Sequence, residues 1–271
     1  MTTAALAPRT ALFLPASNPR AIEKARTLGA DMVVLDLEDA VKPEDKDSAR
    51  EAAVAAVAEG FGKSLSAIRV NTIDSAEYAA DVAAVAESRA DYVVVPKAED
   101  IEQVASLIET LGKPLLAMIE TPRGVLAAAQ IASLPGIRSL IIGTNDLAAS
   151  LRLPPSSGRA AMGVSLETVL LAARASNVWA IDGVFNKLDD AEGLEAEALH
   201  GRALGFDGKS LIHPNQVEIV NRAFGPSDRE IADAEALIAA ASGGAERYQD
   251  RMIETMHVDQ ARALLARVGR N

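Results

Sequence analysis

The hydrophobic positions of this chain gather into short, unbroken apolar runs, each followed by a longer amphipathic stretch. The runs are Ala11–Pro15, Met32–Leu35, Ser66–Val70, Tyr92–Val95, Leu115–Ile119, Ser139–Ile142, Val178–Ile181 and Ser210–Ile212. They lack a polar alternate face, which is how strands buried on both sides read. Between them the punctuation is helical. Asn18-Pro19 is an N-cap with a proline at the first helical position, ahead of a helix at Arg20–Leu28 that Gly29 ends. Further helices are expected at Ser48–Ala58, Ser75–Glu87, Glu99–Leu111, Ala127–Ser133 and Val164–Ser176, and from Leu188 through Leu204. Eight strands alternating with helices in one chain predict a TIM (β/α)₈ barrel over residues 1–221. The pattern changes beyond Asn221. Helices at Asp228–Ala241 and Val258–Val268 flank Glu246–Glu254, which the pattern leaves undecided. Residues 222–271 therefore read as a C-terminal helical extension: a lid, a subunit-exchange arm or a terminal cap.

Charged residues stand just past several strands, at the rim where barrels of this kind carry their chemistry. Glu120 follows the fifth run and Asp146 the sixth. Adjacent parallel strands lie about 4.8 Å apart, so both carboxylates could reach one hard cation; Mg²⁺ takes one or two carboxylates plus water and substrate oxygens. Alternatively Glu120 caps a helix and Asp146 serves a turn. Asp36, Glu38 and Asp39 crowd the end of the second strand and need a metal, an arginine or hydrogen bonds to relieve their repulsion. Arg69, at the end of the third strand, is either a clamp for a substrate carboxylate or a structural partner of those acids. Lys97 adds a positive charge to the same rim and is a candidate substrate contact, and Asp182 adds a negative one. Arg20 and Lys24 could meet phosphates or could be a solvated helix face. His213, followed at once by Pro214, reads as ordering the final turn.

Composition narrows the classes. A net charge of −11 with 3% aromatic residues argues against nucleic acid and anionic membranes as partners. There is no cysteine and only three histidines, which excludes thiolate sites and disfavours a histidine-rich zinc site. No apolar run approaches the length of about 20 residues that crosses a bilayer, and MTTAALAPRT has no basic segment leading into an apolar one. Neither a membrane span nor a signal peptide is expected, and a cytoplasmic location fits.

The segments RTALFLPASNPR, VVLDLEDAV, IRVN, VVPKAED, MIETPRG, IGTNDLA, AIDGVFNKLDD and GFDGKSLIHPNQ occur in this order along nearly the whole chain. Together they resemble the citrate lyase β-subunit-like branch of the HpcH/HpaI aldolase superfamily. The resemblance implies a TIM barrel, commonly a homotrimer, that uses Mg²⁺ to cleave or form a C–C bond in a thioester of a hydroxy acid. Citryl, malyl and citramalyl thioesters are the usual substrates, on coenzyme A or an acyl carrier. By motif, Glu120 and Asp146 match the metal ligands, and Arg69 the arginine that holds the substrate carboxylate. Glu38 and Asp39 match acids that support metal-bound water and that arginine, and Arg20 and Lys24 lie where relatives contact coenzyme A phosphates. The implied activity is Mg²⁺-dependent retro-aldol cleavage releasing acetyl-CoA and a keto acid.

One segment departs from the family. Where thioester lyases of this kind carry a tail motif resembling D-G-K-M-(I/V)-D-x-P with a catalytic Asp, this chain reads QDRMIETMH, with Glu254 at the Asp position. Glutamate keeps the carboxylate one methylene farther out, and displacement on that scale matters to catalysis. Glu254 either does the same work or marks a changed activity. A thioesterase or free-acid aldolase on the same metal site, or a non-catalytic subunit that binds an acyl carrier, stay open as alternatives.

Overall fold

Because their residues are apolar on both faces, the predicted runs pair with each other rather than exposing an edge. The computed structural model describes residues 6–248 and 250–268. In it eight parallel strands close into a barrel in sequence order: β1 (Thr10–Pro15), β2 (Met32–Asp36), β3 (Leu65–Arg69), β4 (Tyr92–Val95), β5 (Leu115–Ile119), β6 (Ile137–Ile142), β7 (Trp179–Asp182) and β8 (Gly208–Leu211). Outside lie α1 (Pro19–Ala25), α2 (Lys46–Glu59), α3 (Tyr78–Ala86), α4 (Ile101–Leu111), α5 (Pro122–Ala132), α6 (Thr144–Ser150), α7 (Gly163–Ala175), α8 (Ala191–Leu204) and α9 (Gln216–Phe224). The TIM-barrel expectation is met.

Alternate residues of each strand point inward and fill the lower barrel. Ala11, Met32, Val34, Ala67, Tyr92, Val94, Leu116, Met118, Ile141, Trp179 and Ile181 form one buried cluster, with the Tyr92 and Trp179 rings 5.5 Å apart. The barrel is therefore plugged, and a ligand can enter only from its ends.

Several boundaries differ from expectation for local reasons. Helix α5 starts at Pro122 rather than Ala127, because the Thr121 hydroxyl accepts from Gly124 N at 3.0 Å and a proline suits the first helical position. Helix α6 was not expected; it begins directly after Gly143 and so carries Asp146 in its first turn rather than in a loop. Asp182 is not a rim charge of the cavity described below. It is fully buried, with Arg159 Nη2 2.8 Å from its Oδ1 and Lys209 Nζ 3.1 Å from its Oδ2. Lys209 also donates to Glu197 of α8 at 2.7 Å, so this paired cluster ties β7 and β8 to the helix layer. Buried charges need such pairing.

The chain divides into two compact units, residues 7–221 and the stretch from Arg222 onward. In the second, α10 (Asp228–Ala240) and α11 (Thr255–Ala266) pack through Ala234, Leu237, Ile253, Ala261 and Leu265. Ser227 and Glu230 close a capping box at the start of α10. The undecided stretch between these helices is an antiparallel hairpin, β9 (Glu246–Tyr248) with β10 (Arg251–Ile253).

Candidate functional site

Asp36 and Arg69 end neighbouring strands and are paired in register, so both point into the top of the barrel. Asp36 accepts from Arg69 Nε at 2.6 Å and from Nη2 at 2.7 Å, a bidentate grip on the guanidinium. The same carboxylate accepts from Glu38 N at 2.9 Å and Ala40 N at 3.0 Å, which fixes the loop after β2. This leaves Arg69 Nη1 turned outward, 2.8 Å from Glu38 Oε2 and 3.6 Å from Asp39 Oδ2. The Arg69 guanidinium also stacks over the Phe13 ring at 5.6 Å. Burial works against its charge, but the hydrogen bonds and charge of Asp36 outweigh that and raise its pKa.

The loop is pinned from below as well. Lys46 Nζ donates to Leu37 O at 2.6 Å, Glu38 O at 2.7 Å and Asn71 Oδ1 at 2.7 Å. Asn71 in turn donates to Leu37 O and to the buried Asp81. The carbonyls of Leu37 and Glu38 thus both have strong donors, which tie the acidic loop to Lys46 and Asn71.

Glu120, at the end of β5, is 2% exposed. Its Oε1 accepts from Lys97 N at 2.7 Å, and Lys97 holds a left-handed backbone with φ of 47° to present that N–H. Its Oε2 lies against Gly143, where a Cβ would come within 2.4 Å of it. Burial raises the Glu120 pKa to about 7; the Lys97 N–H lowers it, and Asp146 raises it further. Burial likewise pushes Glu38 up to about 8, opposed by Arg69 and reinforced by Asp39, Glu120 and Asp36.

These residues border a cavity of about 330 Å³ at the C-terminal end of the strands. Its walls include Phe13, Asp36, Asp39, Arg69, Met118, Glu120, Asn145, Asp146, Ser210 and Ile212. Arg69, Glu120, Asp146 and Asp39 are thus brought together as expected, with Glu38 against Arg69. Among the described residues no group of three or more His, Asp or Glu side chains could hold a metal. Any ion here would rest on Glu120 and Asp146 and complete its shell from water and ligand oxygens. That donor set fits Mg²⁺, and a buried carboxylate further raised by a second one is stabilised by a cation.

Arg20, Lys24 and the Lys97 side chain do not line this cavity. Arg20 and Lys24 are exposed on α1, four residues apart, with no side-chain ion pair to any of the described residues. The Lys97 side chain is exposed and borders a second cavity with Asn71, Tyr78, Glu99 and Arg123, so its part in the first site is played by its backbone N–H. Glu254 belongs to the C-terminal unit, is exposed and starts α11, its N donating to His257 Nδ1 at 3.0 Å. Gln249 of the same segment lies outside the described residues.

Sequence reasoning noted Asp36 as one of three crowded acids and Arg69 as a possible partner for them, which the Asp36–Arg69 pair bears out, but it gave no role to Lys46, Asn71 or Ser210. For Asp36 a signal existed: it continues the inward series Met32, Val34 and stands level with Arg69. The contacts of Lys46 and Asn71 join separate loops and have no signature in spacing.

Residues 9–214 match the family model of the HpcH/HpaI aldolase/citrate lyase proteins. A (3S)-malyl-CoA thioesterase of Cereibacter sphaeroides strain KD131 is 43% identical, covering 96% of this chain and 94% of that protein. Citrate lyase subunit beta of Leuconostoc mesenteroides subsp. cremoris is 34% identical over 86% of this chain and 82% of its own length. The crystal structure of CitE from Mycobacterium tuberculosis in complex with magnesium, acetoacetate and coenzyme A superimposes with a TM-score of 0.83 at 33% identity, covering 98% of this chain and 99% of that one. The closed barrel, the carboxylates at its rim and these matches make this chain a member of the HpcH/HpaI aldolase/citrate lyase family.

Proposed function

We propose that this protein is a Mg²⁺-dependent enzyme acting on the coenzyme A thioester of a short hydroxy dicarboxylic acid of the malyl type. The observation that carries this reading is the single cavity wall holding Glu120 and Asp146 together with Arg69, whose outer nitrogen faces away from its Asp36 grip. A cation and a guanidinium side by side suit the hydroxyl and carboxylate of one α-hydroxy acid. Glu120 and Asp146 would hold the ion, which when bound supplies Lewis-acid stabilisation to oxygens of the acid portion. Arg69, fixed by Asp36, orients the carboxylate bidentately or end-on. Burial pushes the Glu38 carboxyl up to about 8, and a group that titrates near the operating pH is suited to proton transfer beside Arg69. Phe13, Met118 and Ile142 make part of the lining apolar.

Two outcomes are open to a thioester held this way. Hydrolysis, giving the free acid and coenzyme A, is our leading reading, supported by the likeness to the malyl-CoA thioesterase and by Glu254 in place of the lyase Asp. C–C cleavage to acetyl-CoA and a keto acid is the second, supported by the likeness to citrate lyase subunit beta. Arg20 and Lys24 would meet coenzyme A phosphates, and a homotrimer in the cytoplasm is part of the same proposal. The test is to incubate the purified protein with Mg²⁺ and malyl-, citramalyl- or citryl-CoA and to separate the products. Free CoA without acetyl-CoA supports hydrolysis and acetyl-CoA supports cleavage. No product from any of them turns the reading to a carrier-bound substrate or a binding role.

A further inference from the structure

Strand β8 turns Lys209 toward α8 and Ser210 into the barrel. Ser210 is 2% exposed, its Oγ has no hydrogen-bond partner among the described residues, and it lines the cavity. A buried hydroxyl left unpaired is costly and calls for an explanation. None of the other lining groups supplies one. Phe13 and Met118 are apolar, both Asp36 oxygens already accept two hydrogen bonds each, and neither Arg69 nor the lining carboxylates of Asp39, Glu120 and Asp146 hydrogen-bond the Ser210 hydroxyl. Among the described residues, the other buried side-chain oxygen without a hydrogen bond is Glu38 Oε2, which lies 2.8 Å from Arg69 Nη1.

Position narrows the ligand atom. In the closed order β8 lies three strands from β3, which carries Arg69, and three from β5, which leads to Glu120. An acyl group anchored by its acid end between β3 and β5 extends its other end toward β8. Beyond the carboxylate, hydroxyl and one methylene of a malyl-type group, the next polar atom is the thioester carbonyl oxygen. We propose that the Ser210 hydroxyl donates a hydrogen bond to that oxygen, which makes it a catalytic contact at the floor of the cavity. This rests on the reading that Glu120, Asp146 and Arg69 hold the acid end. The carbonyl oxygen gains negative charge both when water adds to the thioester and when the adjacent carbon takes up electrons on C–C cleavage. A donor aimed there serves either outcome.

Binding tests this without turnover. Calorimetry on the Mg²⁺-loaded protein would compare oxaloacetate, whose far carboxylate oxygen stands in for the thioester carbonyl, with pyruvate, which has no such atom. Wild type should bind oxaloacetate more tightly. Ser210→Ala should weaken oxaloacetate by about tenfold or more and leave pyruvate unchanged. Its Tm should not fall, since the hydroxyl makes no hydrogen bond among the described residues. Equal effects on both ligands, no effect on oxaloacetate, or a lower Tm would overturn the assignment while leaving the anchoring of the acid end standing. Failure of wild type to bind either keto acid would instead overturn the anchoring itself, and this proposal with it.

Discussion

Glu120 lies against the bare backbone of Gly143: a Cβ there would fall 2.4 Å from its Oε2 and 2.5 Å from its own Cβ. The N-cap position at Gly143 has φ of −94°, open to any residue, so glycine is required there for space and not for backbone freedom. The strand that follows a candidate metal ligand thus clears room for it.

Gly143→Ala should therefore displace Glu120 and spare the fold. Supporting contacts around metal ligands are commonly worth about 10- to 100-fold in affinity, so Mg²⁺ binding by calorimetry should weaken by at least about tenfold. The far-UV circular dichroism should not change. Unaltered Mg²⁺ affinity in a folded variant would show that Glu120 is not held by this contact or does not bind the ion.

Asp36→Asn should be costly in a different way. It strips the bidentate partner from a guanidinium that is 8% exposed and loosens the hold on the loop carrying Glu38. Removing one partner of a buried pair costs about 3–5 kcal/mol. Part of that is offset because Glu38 already stands 2.8 Å from Nη1. Denaturant unfolding should show a loss of about 2–4 kcal/mol, and a loss below about 0.5 kcal/mol would mean that the pair is not structural.

The two raised carboxyls give stability a pH dependence. Glu38 and Glu120 have pKa values of about 8 and about 7 in the folded protein, against 4.5 in the unfolded chain. In that interval the folded state binds more protons, so stability falls as pH rises through it. Without metal, Tm should decline between about pH 5 and about pH 8.5. Mg²⁺ favours ionised Glu120, so the Tm gain it confers should be larger near pH 8 than near pH 6, and smaller in Glu120→Gln. A metal-induced gain that does not change with pH would contradict the titration of a ligand in this range.

Much of this was legible in the chain because buried parallel strands announce themselves. The run Leu115–Ile119 ending in Glu120, and Ser139–Ile142 ending ahead of Asp146, placed both carboxylates at one rim, where the structure has them. Other features depend on partners far away in sequence. Asp182 also ends a strand, but it follows the inward Trp179 and Ile181 and so faces the helix layer, where Arg159 and Lys209 neutralise it. Strand-end position alone does not say which face a carboxylate takes; alternation from the last inward residue does. The same count turns Asp36 inward. The hairpin at Glu246–Ile253 was undecided because its strands are too short for a period to show. The hub at Lys46 has no local pattern at all.

Under the proposed function, Glu120, Asp146 and Arg69 together make a Mg²⁺-dependent site for a malyl-type thioester. The most direct measurement is thiol release from (3S)-malyl-CoA by wild type and by Glu120→Gln, each with Mg²⁺ and with EDTA. Free CoA should appear with wild type and Mg²⁺, disappear with EDTA, and be reduced by at least about a hundredfold in the folded variant. Release that is equally fast in EDTA, or unchanged in Glu120→Gln, would contradict the account.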